Sequence, residues 1–70
     1  MKPDPVKLRL AREKHGWSQQ FAAGLLGINW RTLLRWERGQ SVKSPTAADL
    51  QAMASVYGVG VADLCEVGNG

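Results

Sequence analysis

Seventy residues leave room for one small domain and no second core. A hydrophobic content of 44% is that of a globular chain and speaks against disorder, while a net charge of +3 suits a polyanionic partner without requiring one. A single cysteine, Cys65, excludes an internal disulfide, and with His15 as the only histidine no Cys/His zinc set can form, so neither a metal nor another cofactor is expected.

No apolar run approaches the roughly 20 residues of a membrane span. The start MKPDPVKLRL also lacks the apolar stretch of a signal peptide. A cytoplasmic protein is the expectation. Pro3 and Pro5 favour an extended beginning, so residues 1–5 read as an arm ahead of a domain over 6–65, with 66–70 as a frayed tail. Asp4 or Pro5 opens a first helix, because proline is tolerated in a first turn. That helix continues through VKLRLAREKHG and stops at Gly16. Leu8, Ala11 and His15 share one stripe of it, with Val6 and Leu10 on a neighbouring one. His15 is expected near the helix end, where a cation is favoured.

Ser18 is a good N-cap, and SQQFAAGLLG reads as a second helix ended by Gly27. Its small residues allow another helix to approach closely. Asn29 caps a third helix, WRTLLRWER, ended by Gly39. QSVKS is then a polar loop, and Ser44 or Thr46 caps a fourth helix, TAADLQAMASVYG, in which Leu50, Met53, Ala54 and Tyr57 recur at helical spacing. Gly58 ends it, and VADLCEV reads as a short fifth helix. No alternating strand pattern appears, so an all-α bundle of five helices is expected.

The chain carries no Ser/His/Asp grouping, no glycine-rich phosphate loop and no paired carboxylates on a shared helix face. No catalytic residue is expected. The third helix is the chemically loaded one. With about 100° between successive residues, Arg31, Arg35 and Arg38 fall on one stripe, and Leu33 and Trp36 on roughly the opposite side. A stripe of arginines can be a solvated surface, but this one holds no acid, and the only acid of the helix, Glu37, lies on the flank. A short helix, a tight turn at Gly27-Ile28-Asn29 and a second short helix form the helix-turn-helix arrangement, whose second helix enters the DNA major groove.

The stretch GWSQQFAAGLLGINWRTLLRWERG, residues 16–39, resembles the Xre/Cro phage-repressor type of helix-turn-helix, a lambda-repressor-like domain. The resemblance rests on Gly16, Trp17, Ser18, Gln19, Ala23, Gly27 and the Trp36-Glu37-Arg38-Gly39 ending. The later helices fit as well, so that it covers about residues 6–64. It implies a sequence-specific DNA-binding transcriptional regulator, a repressor, acting as a homodimer on double-stranded DNA. It implies that Asn29, Trp30, Arg31 and Arg35 face base edges or adjacent phosphates, with Arg35 a second base reader or a phosphate clamp. Gln19, Thr32, Arg38 and Lys43 are then phosphate contacts, and Arg12 and Glu37 a structural salt bridge. No small-molecule ligand is implied.

Four residues depart from the family pattern. Ala22 stands where a large aliphatic is usual and Phe21 where a polar residue is usual, so Phe21 either refills the missing volume or is exposed. Trp30 and Leu34 likewise replace polar residues. Local packing, an apolar flank for a protein partner, or contact of Trp30 with a thymine methyl would each explain them. The alternative function is therefore a protein-interaction module of the same fold, such as an antitoxin-like or accessory subunit. A dimer would pair through VYGVGVADLCEV or through Phe21 and Leu25.

Overall fold

A computed structural model describes residues 2–40 and 43–67. Four α-helices follow one another: α1 (Pro5–Glu13), α2 (Gln19–Leu26), α3 (Trp30–Arg38) and α4 (Ala47–Tyr57). Each start has a local chemical cause. The Asp4 carboxylate accepts from the backbone N–H of Val6 at 3.0 Å, and Pro5 occupies the first helical position. Ser18 Oγ accepts from Phe21 N–H at 3.0 Å and Asn29 Oδ1 from Arg31 N–H at 2.9 Å. Thr46 and Asp49 cap each other reciprocally, at 3.1 and 2.9 Å.

Gly39 is the stop at which a side chain would be most crowded. Its φ is +68°, and a Cβ there would lie 3.1 Å from Pro5 Cγ, so the end of α3 and the start of α1 approach closely only because a side chain is missing.

At 8 to 11 residues these helices would be marginal alone, and packing supplies what propensity cannot. The core is Leu8 from α1, Ala22 and Ala23 from α2, Leu33 and Trp36 from α3, Leu50, Met53, Ala54 and Tyr57 from α4, and Leu64 and Cys65. Ala22 and Ala23 are fully covered, which is the close helix approach their size predicted. Phe21 does not refill the space beside Ala22. It is exposed and leans on Trp17, with ring centroids 5.6 Å apart. Of the α1 stripes, Leu8 is buried while Val6 and Leu10 are exposed.

The expected five-helix count is corrected. Among the described residues the last element is a single 3-10 turn, Val61–Leu64, and VADLCEV does not continue as an α-helix. The reason is non-local. Cys65 turns to extended backbone (φ −118°, ψ 158°) and pairs antiparallel with Pro3. Asp4 N–H donates to Leu64 C=O at 2.9 Å and Glu66 N–H to Lys2 C=O at 2.8 Å. Lys7 Nζ donates to the Cys65 carbonyl at 2.8 Å. Backbone groups that a further helical turn would use are thus taken by the N-terminal arm. The expected arm is extended at Pro3 but fastened to the body, and the expected tail is fastened at Glu66. Residues 68–70 of that tail, like Ser41 and Val42 of the α3–α4 loop, lie outside the described residues.

Candidate nucleic-acid interface

The connection from α2 to α3 is short because Gly27, at φ 70°, turns the chain in the left-handed region and Ile28 tucks against the core. Asn29 then restarts the helix. α2 and α3 pack directly on each other, and α3 divides as its sequence predicts. Leu33 and Trp36 are buried, and Trp36 Nε1 donates to the Lys43 carbonyl at 3.0 Å. Arg31, Arg35 and Arg38 are exposed along the outer side.

These arginines do not have equal standing. Arg35 and Arg38 occupy the last turn of α3, where the helix dipole favours a cation whatever the protein does. Arg31 is in the first turn, where the same dipole opposes a cation. Within the chain its guanidinium rests over the Trp30 ring, 5.8 Å from the centroid.

Glu37 does not face outward with them. Its side chain is 2% exposed and meets Arg12 in a two-pronged pair, Nε to Oε2 at 2.8 Å and Nη2 to Oε1 at 2.8 Å. Arg12 Nη1 also donates to the Trp17 carbonyl at 2.7 Å. The side-chain hydrogen bond to Glu37 raises the Arg12 pKa above its ordinary value. The pair joins α1 to α3 and leaves the outward side of α3 without a carboxylate of its own.

Gln19 is half-buried at the start of α2, and its Nε2 donates to Glu37 Oε1 at 3.1 Å. Sequence reasoning missed this bond, since nothing in the spacing of residues 19 and 37 signals it. The amide nitrogen carries two hydrogens, so one remains for an outside acceptor. Thr32, Arg35, Gln40, Lys43, Ser44 and Asp49 come together in an open groove between α3 and the start of α4. Gln40 and Ser44 were not anticipated there. The structure therefore gathers Thr32, Arg35 and Lys43 in one place, sets Asn29, Trp30 and Arg31 at the leading end of α3, and leaves Arg38 at its far end. Leu34, an apolar departure, is half-buried, whereas Trp30 remains 38% exposed.

Behind the pair lies Tyr57, whose buried hydroxyl has no hydrogen-bond partner among the described residues. Burial, reinforced by the Glu37 charge, pushes its pKa up to about 12 from 10.0. The neutral phenol is thus favoured by folding. Its contribution is full below pH 10, the unfolded value, and disappears as pH rises through about 12. Tyr57→Phe is expected to be neutral or to stabilise by about 1 kcal/mol, because no bond is lost and a desolvation cost is removed. It should also flatten this alkaline decline relative to the parent. Urea unfolding at neutral pH and between pH 10 and 12 checks both.

Among the described residues no group of three or more His, Cys, Asp or Glu could hold a metal ion. No helix among them is long and apolar enough to cross a membrane. His15 stacks on Trp17 with centroids 4.2 Å apart, and its Nε2 lies 2.7 Å from the Tyr57 carbonyl. It serves to join the end of α1 to the end of α4.

A helix-turn-helix family model matches residues 8–64. A protein of Pyrococcus horikoshii, provisionally named as an HTH-type transcriptional regulatory protein, is 49% identical over 41 residues, which are 59% of this chain and 13% of that protein. The chain therefore corresponds to a small part of that curated relative's length. The crystal structure of a hypothetical transcription factor from Neisseria is 25% identical, with a TM-score of 0.72 over 91% of this chain and 79% of that one. The chain belongs to the Xre/Cro-type helix-turn-helix family.

Proposed function

We propose that this chain is the DNA-reading domain of a sequence-specific transcriptional regulator, a cytoplasmic repressor that seats α3 in the major groove. The observation that carries this reading is Arg31, exposed in the first turn of a helix whose dipole opposes it, on a helix whose own carboxylate, Glu37, is turned inward to Arg12. Arg31 pairs with guanine O6 and N7, and Asn29, Trp30 and Arg35 face neighbouring base edges. Arg38, Lys43, Thr32 and the second amide hydrogen of Gln19 take phosphates. Of these, Arg38 and Lys43 neutralise phosphate charge, which would give a slope of log K against log salt of about −2 per protomer.

One domain of this size offers few contacts, so it acts as a homodimer on paired half-sites about one helical turn apart. The competing reading, a protein-interaction module, draws on the exposed Phe21 and Leu25 of α2. Selection of duplexes from a randomised pool at moderate salt separates the two. A regulator enriches a two-fold symmetric sequence, and its spacing reports the dimer. A chain that enriches nothing, yet retains a protein partner when Arg31 is replaced by alanine, is the interaction module instead.

A further inference from the structure

Trp30 and Arg31 form a unit. Trp30 is the first residue of α3, directly after its cap Asn29. It keeps 38% of its surface exposed, whereas Trp36 on the opposite face keeps 7%. The guanidinium carbon of Arg31 sits over the indole, 5.8 Å from the ring centroid, within the range of a cation–π contact.

We propose that Trp30 determines which base pair may neighbour the one Arg31 reads, by covering the C5-methyl group of a thymine. This rests on the DNA-reading role of α3. A guanidinium bonded bidentately to guanine O6 and N7 lies in the plane of that base pair. A ring stacked on this cation, 5.8 Å from guanidinium carbon to centroid, is set to the side of the next pair in the stack. The apolar group presented there in the major groove is the thymine methyl. The indole has a donor but no acceptor, so it gains by covering a methyl group and offers nothing to the amino group of cytosine. Trp30 and Arg31 together read guanine and an adjoining thymine as one step. Trp30 is also a positioning residue, because a guanidinium already resting on a ring has less freedom to lose when DNA arrives.

The test uses the whole chain and a synthetic duplex carrying the sequence enriched from a randomised pool. The thymine beside the guanine is replaced by uracil, which removes the methyl group and leaves the base pairing intact. The parent chain is expected to bind the uracil duplex about fourfold more weakly, the worth of one buried methyl group. Trp30→Ala should bind both duplexes equally while still preferring the guanine. Trp30→Phe, which keeps an apolar ring, should retain part of the discrimination, an outcome that a merely structural role for Trp30 would not produce. Equal binding of thymine and uracil duplexes by the parent overturns the proposal, as does an enriched site with no thymine beside the guanine. A pool in which nothing is enriched overturns the DNA-reading role itself, a failure distinct from loss of the methyl effect alone.

Discussion

Glu37→Ala is expected to destabilise the domain by about 3–5 kcal/mol, because it removes the two-pronged counter-ion of the buried Arg12 guanidinium and leaves only the half-exposed Glu13 carboxylate, 4.0 Å away. Arg12 is 8% exposed and cannot recover water without breaking the packing between α1 and α3. Its remaining bond to the Trp17 carbonyl satisfies one donor and neutralises no charge. Gln19 loses its acceptor in the same substitution. A chain of 70 residues has a total stability of about 4–10 kcal/mol, so the variant should be largely or partly unfolded at physiological temperature. Glu37→Gln should cost less, since its amide oxygen still accepts one bond. Replacing Arg12 and Glu37 together by apolar residues of similar volume should recover much of the loss, because the desolvation cost of both charges goes with them. Urea unfolding followed by circular dichroism reads all three. A Glu37→Ala variant within about 0.5 kcal/mol of the parent, the range of an ordinary surface substitution, would mean that the pair does not hold α1 to α3.

The second large effect concerns DNA. Arg31→Ala should remove about 1–3 kcal/mol of discrimination at one base pair and leave the fold untouched, since the side chain is exposed. Arg38→Ala, at the other end of α3, should behave differently. It should weaken all duplexes alike and reduce the magnitude of the salt slope by about one. The contrast separates a base-reading arginine from a phosphate-holding one, a distinction that exposure alone does not make. Titrations of both variants on one selected duplex and its single-base variants, at several salt concentrations, provide the comparison.

The local parts of this structure were legible in the sequence. Ser18 and Asn29 each cap a helix through a hydrogen bond spanning two or three residues, and such short-range chemistry is written in adjacent letters. The split of α3 into a buried Leu33/Trp36 side and an outward arginine side follows from helical periodicity, and the structure reproduces it. The Arg12–Glu37 pair joins positions far apart in the chain, so spacing says nothing of it, and family resemblance supplied the expectation. Other long-range features had no such guide. The pairing of Pro3 with Cys65 shortened the fifth helix to one turn, because the backbone groups at the chain end found partners 60 residues earlier. The bond from Gln19 to Glu37 and the unpartnered hydroxyl of Tyr57 likewise depend on how α2 and α4 settle against α1 and α3. Phe21 could have been buried or exposed by its sequence context, and Trp17 decided it by offering a ring at the surface.

The central claim, that the first turn of α3 reads bases, is tested most directly by the ratio of specific to non-specific affinity. The parent chain and Arg31→Ala would be titrated on the selected duplex and on a scrambled duplex of equal length, at one fixed salt concentration. The expected result is a ratio reduced about 5- to 150-fold in Arg31→Ala, the equivalent of one bidentate base contact, with affinity for the scrambled duplex nearly unchanged. An unaltered ratio, or an equal loss on both duplexes, would contradict it and would assign Arg31 to the phosphate backbone or to no DNA contact at all.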